Sequence, residues 1–309
     1  MRHALRSALQ DYLALRRSLG FKLDRAGRLL DQFIAYCEAA GAETITTEFA
    51  LSWATLPVGA SQSWLAGRLS VVRGFAKHLA LLDERTEVPP ADLLPDRSHR
   101  ATPYLYTTEE VLRLMAAAGE LPSPLRRATF STVVGLLYVT GMRIGEAIRL
   151  DRDDVDLAQR VLIVRDSKFG KSREIPVHDS TARALRAYAR RRDELCPQPT
   201  SPAFFLSLAG TRLLYCNVHL AFLGLVREAG LTPRSPTCRP RPHDLRHTFA
   251  VSTLIGWYRD GVEVEPRLAR LSTYLGHVHP ANTYWYLSAA PELLSLAAAG
   301  LEAAAGESS

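Results

Sequence analysis

The sequence predicts a mainly α-helical protein with a small antiparallel β-sheet, and three observations carry that reading. Apolar residues recur at helical spacing, as in Leu5, Leu9, Tyr12 and Leu13 and again in Leu29, Leu30, Phe33 and Ile34. One convincing stretch, from Arg160, instead shows two short β-rich runs around a polar turn. The length of 309 residues suits two cores, and the proline-rich break PPADLLPDRSHRATP interrupts the helical pattern between them. The expected division is a helical domain over residues 1–95, a linker over 96–106 and a second domain over 107–309.

In the first domain, Gly20, Gly41 and Pro57-Val58-Gly59 punctuate the pattern into short helices. Arg16, Arg17, Lys22, Arg25, Arg28, Arg68, Arg73 and Lys77 fall on what would be polar faces. A solvated helix surface accounts for any one of them. After the break, Thr107 or Thr108 opens a helix, with Glu110 or Glu109 placed for a capping box and Val111, Leu112, Leu114 and Met115 following. RVLIV and REIPV then bracket RDSKFGKS as a hairpin, and helical patterns resume over Arg183–Arg192, Val218–Ala229 and His243–Trp257. Pro291–Ala304, with Leu293, Leu294, Leu296 and Leu301, reads as an amphipathic tail helix before a frayed end.

A formal charge of +6 and a pI near 9.3 permit a polyanionic partner without requiring one. The four cysteines, Cys37, Cys196, Cys216 and Cys238, are far apart and form no CxxC pair, which argues against a disulfide framework or a Cys-rich zinc site. No stretch reaches the roughly 18 apolar residues of a membrane span, and the N-terminus lacks a signal-peptide pattern. The expectation is a cytoplasmic protein with no membrane contact.

The chemistry-bearing residues lie in the second domain. TGMRIGEAIRL holds Arg143 as G-x-R-x-x-E, HDLRHTF holds His243 and Arg246 as H-x-x-R, and LGHVHPANTYWY places Tyr286 nine residues after His277. Each motif alone is weak; their order and spacing together are specific. Arginine forks suit phosphate oxygens, and fixed cations stabilise the extra charge of a pentavalent phosphorus. A tyrosine needs such cations nearby to attack near neutral pH.

At these residues, from about Thr107 to Leu287, the chain resembles the tyrosine recombinases, the phage-integrase and Xer-like enzymes; the N-terminal helices are more loosely similar to the family's SAM-like, core-binding DNA-binding domain. The resemblance implies a tyrosine-recombinase catalytic domain and a site-specific recombinase that cuts and rejoins DNA strands through a 3′-phosphotyrosyl intermediate, without cofactor or metal. Tyr286 would be the nucleophile, Arg143, Arg246 and His277 the phosphate ligands, and His243 the group that assists the tyrosine's deprotonation. Lys168, in the hairpin turn, would protonate the departing 5′-oxygen. Phe169 stands where the family has glycine, so Lys171 remains an alternative. The implied partner is double-stranded DNA, with a homo-tetramer on two sites, alone or with a related recombinase. The implied settings are a mobile element, through integration or transposition, and an Xer-like system.

Other readings stay open at this level. Tyr284 rivals Tyr286, and Glu146, on the same helix face as Arg143, orients that arginine or the histidine pair or is a surface carboxylate. His243 and His247 form half of a zinc-hydrolase motif, with Asp244 where its glutamate would stand and His277 or His279 as an imaginable third ligand. A catalytically inactive accessory DNA-binding protein and a type IB topoisomerase are the remaining alternatives. The tail helix could pack on its own domain or on a neighbour.

Overall fold

The computed structural model describes residues 4–94, 102–165, 172–277, 279, 281–288, 293 and 295. The chain divides into two compact units, Met1–Arg100 and Ala101–Ser309. Lys168 and Lys171, the turn between the two predicted hairpin strands, and nearly all of the predicted tail helix lie outside the described residues.

The first unit is four helices: α1 Ala4–Ser18, α2 Asp24–Ala39, α3 Thr47–Thr55 and α4 Gln62–Leu79. Leu5, Leu9 and Leu13 of α1 meet Leu30, Phe33 and Ile34 of α2 and Leu69, Val72 and Phe75 of α4 in one buried cluster. Thr46 and Ser61 cap α3 and α4 by accepting from the N–H of Phe49 and Trp64. Two of the basic residues assigned to polar faces serve the fold instead. Arg68 is buried over the Trp53 ring and donates to the Trp53 carbonyl at 2.8 Å. Arg73 donates to the carbonyls of Pro89 and Pro90, anchoring the proline-rich segment. Arg17, Lys22, Arg25, Arg28 and Lys77 are exposed.

In the second unit the capping box forms at Thr107 and Glu110 and opens α5 Thr108–Gly119. Next come α6 Pro124–Thr140 and the short α7 Ile144–Arg149. The sheet has three antiparallel strands in the order β1 Val155–Asp156, β2 Val161–Val164 and β3 Arg173–Pro176. Leu162 opposite Ile175 sets the register and turns both side chains into the core. The remaining helices are α8 Asp179–Leu195, α9 Tyr215–Glu228, α10 Asp244–Arg259 and α11 Val264–Leu275, then a helical turn Ala281–Tyr284 and a 3₁₀ turn Trp285–Ser288. One core cluster gathers α5, α6, α9 and the sheet; a second joins α10, α11, Tyr286 and Leu293. Leu293 is thus buried within its own unit.

Gly141 ends α6 with φ +60, and an added Cβ there would lie 2.4 Å from Cδ1 of Phe249. Gly141→Ala combines a left-handed backbone with overpacking, together about 2–4 kcal/mol. Calorimetry should show the transition of the second unit lowered by roughly 5–12 °C with that of the first unit unmoved.

Candidate active site

Local chain geometry explains how the motif residues meet. Because α6 stops at Gly141, Arg143 becomes the N-cap of α7, ahead of the helix rather than on its face, and Glu146 occupies the third helical position. The backbone N–H of Arg143 donates to Glu146 Oε2 at 2.9 Å and its Nη1 to Oε1 at 2.8 Å. Arg173, the first residue of β3, adds Nη2 to Oε2 at 2.7 Å and Nη1 to Oε1 at 3.2 Å. Glu146 is only 3% exposed. Burial alone would raise its pKa, but Arg173 and then Arg143 outweigh that and bring it down to about 2.

The C-terminus of α11 gathers three arginines. Its last carbonyls have no partner in the helix and form the negative end of the helix dipole. The Tyr274 carbonyl accepts from Arg173 Nε at 2.8 Å, that of Leu275 from Arg246 Nη2 at 2.6 Å, and that of Gly276 from Arg143 Nη2 at 3.0 Å. Arg246 also donates Nη1 to the Gly141 carbonyl at 2.9 Å, so one guanidinium ties the ends of α6 and α11 together. Burial, then the charge of Arg143, lowers the pKa of Arg246 to about 10, against the pull of Tyr286 and Glu146. It stays cationic near neutral pH.

His277 follows this cluster directly. Its Nδ1 lies 2.7 Å from Thr283 Oγ1, and its ring stacks on Tyr286 with centroids 5.9 Å apart. Tyr286 is 2% exposed and also meets the His247 ring edge-on at 5.5 Å, whereas Tyr284 is 49% exposed. His243 stands at the start of α10, open to solvent on one side, with its ring 4.8 Å from that of His247. Lost hydration and the positive field of Arg246 and Arg143 bring both His243 and His277 to a pKa of about 4. Both are neutral near pH 7. Burial raises Asp244 to about 6 against the opposing charge of Arg241, whose backbone N–H and Nε both donate to it.

Of the six site residues expected from sequence, Arg143, Arg246, His243, His277 and Tyr286 lie in one neighbourhood; Lys168 is outside the described residues. Arg173 and the packing of His247 on Tyr286 were not foreseen. A search for cations able to neutralise Glu146, had its burial been known, would have pointed at Arg173. Among the described residues no three His, Cys, Asp or Glu side chains are grouped to hold a metal ion, so the His243/His247 pair has no third ligand there. No helix among them is long and apolar enough to cross a membrane. Two concavities, of about 1060 and 610 Å³, lie elsewhere on the second unit and include none of the site residues.

Acid should loosen this unit in two stages. The depressed histidine pKa values mean that the unfolded chain takes up protons that the folded chain refuses, so stability falls as the pH drops from about 6.5 towards 4. Asp244, shifted upward, opposes this between about 6 and 3.8. Glu146 then removes about 3 kcal/mol between its ordinary pKa of 4.5 and about 2. Urea midpoints of the native chain and of Glu146→Gln across this range check it, since the variant should lack the lower-pH loss.

Comparison with known proteins gives one consistent result. The family model described as the phage integrase family matches residues 105–292. A "Putative integrase/recombinase y4rB" of Sinorhizobium fredii is 46% identical over 96% of each chain. "Tyrosine recombinase XerD" of Mycobacterium tuberculosis is 36% identical over 72% of this chain and 68% of its own. Among solved structures, the Tn1549 transposon integrase in complex with transposon right end DNA superposes with a TM-score of 0.67 at 18% identity, covering 96% of this chain and 99% of the other. That last likeness concerns the fold.

Proposed function

Since the chain belongs to the phage integrase family, that of the tyrosine recombinases, we infer that it cuts and rejoins duplex DNA through Tyr286 at the site described above. The observation that carries this is the convergence of Arg143, Arg246, His243 and His277 on the surroundings of one buried tyrosine.

In this reading Arg143 and Arg246 meet the nonbridging oxygens of the scissile phosphate. Their forks are already held by Glu146, Gly141 and the end of α11, so little reorganisation is needed as charge develops. His277, neutral and steered by Thr283, donates to the same phosphate, and neutral His243 can accept the phenolic proton. Tyr286 attacks phosphorus, the 5′-oxygen leaves with a proton from Lys168 or Lys171, and a 3′-phosphotyrosyl bond stores the phosphodiester energy. The 5′-hydroxyl of a second strand then reverses the step without ATP. Arg246 and Tyr286 are each 2% exposed, so a phosphate reaches them only after a local opening of the site. Residues 1–95, with the exposed Arg17, Lys22, Arg25, Arg28 and Lys77, bind the DNA backbone alongside residues 107–309.

We assign the protein to the cytoplasm and to a tetramer on two DNA sites, alone or with a related recombinase. The relative named integrase/recombinase, 46% identical over nearly the whole chain, favours a mobile-element setting, with transposition as one form of it. A supercoiled plasmid with two copies of a binding site, incubated in EDTA without ATP, should yield recombinant circles. Relaxation alone would indicate a topoisomerase, and binding without strand exchange an accessory protein.

A further inference from the structure

Arg173 lies in none of the motifs, yet it is the most fully engaged arginine of the cluster. Its Nε donates to the Tyr274 carbonyl, its Nη1 and Nη2 grip both oxygens of Glu146, and its side chain is 11% exposed against 32% for Arg143. Gly276 carries φ +67, and a Cβ there would lie 2.9 Å from Arg173 Nη1, so the turn before His277 fits closely over this guanidinium.

Building on the recombinase reading, we propose that Arg173 is a positioning residue that neutralises Glu146, leaving the charge and the fork of Arg143 for the scissile phosphate. Charge balance and geometry both lead there. Arg143, Glu146 and Arg173 together carry one positive charge, two cations less one anion. Without Arg173 the remaining pair is neutral, and Arg143 is drawn wholly onto a carboxylate buried to 2% side-chain exposure. The two Arg173 bonds to Glu146 also set the carboxylate plane from which Arg143 is held. Arg173 directs Nε to Tyr274 and one N–H of each Nη to Glu146, which turns its fork to the carboxylate, and so acts through Arg143.

The test is single-turnover formation of the covalent adduct by the full chain. The substrate is a nicked duplex carrying a site selected by the native protein from random DNA, with either a phosphodiester or a methylphosphonate at the scissile position. Arg173→Ala should bind the duplex within about threefold of native and cleave the phosphodiester about 100-fold more slowly, as befits a lost electrostatic contribution. On the methylphosphonate, which lacks the nonbridging charge that Arg143 would meet, the deficit should shrink below about fivefold, in parallel with Arg143→Ala. The double variant Glu146→Gln/Arg173→Ala removes the buried charge that could unfold the single variant; with net charge restored, it should regain about tenfold of the lost rate. A deficit equal on both substrates, a native rate in Arg173→Ala, or a double variant no faster than the single would overturn this role while the native adduct still forms. A native chain that forms no adduct would instead overturn the recombinase reading, and this role with it.

Discussion

Tyr286→Phe should bind its DNA site with native affinity and form no covalent adduct. The substitution removes one oxygen from a ring that is 2% exposed and packed against His277, His247 and Trp285, so shape and packing persist. The nucleophile is what disappears, and the loss should exceed about 10⁴-fold, the limit of detection in a gel assay, because no neighbouring group replaces a covalent nucleophile. Tyr284→Phe, altering a side chain that is 49% exposed, should cleave at close to the native rate. Exchange of these two phenotypes would reassign the nucleophile.

Arg246→Ala should carry the next largest effect, and a double one. It removes a fork held beside Tyr286 and leaves the carbonyls of Gly141 and Leu275 without their arginine donor where α6 and α11 meet. Cleavage should slow by at least about 10³-fold, and the second unit should lose roughly 2–4 kcal/mol. Arg246→Lys should recover little of either, since a single ammonium cannot span both carbonyls and still present a planar fork to phosphate. Single-turnover rates and urea denaturation read the two losses separately. A lysine variant with native rate and stability would contradict the bridging role.

What was legible in the sequence was what local pattern encodes. The helical character of both units, the helices α5, α8, α9 and α10, the capping box at Thr107 and the β-runs of the hairpin follow from periodicity and cap chemistry, whereas α6, α7 and α11 were not picked out by them. The motif phrases pointed to Arg143, His243, Arg246 and His277, and the interval from His277 to Tyr286, which in the fold packs on that histidine while Tyr284 is 49% exposed. What was not legible depends on distant partners. Arg173 meets Glu146 from 27 residues away and Tyr274 from 101, so its role exists only once β3, α7 and α11 are assembled. Arg68 and Arg73 looked like solvated charges because periodicity shows a face but not a carbonyl waiting beside it. Strand β1, two residues long, is defined by pairing with β2 and has too few positions to alternate.

The most direct measurement is peptide mapping by mass spectrometry of the protein trapped on a nicked duplex. A 3′-linked nucleotide on Tyr286, absent from Tyr286→Phe and formed in EDTA without ATP, is the expected result. An adduct on another residue, or none on a duplex that the protein binds, would contradict the account.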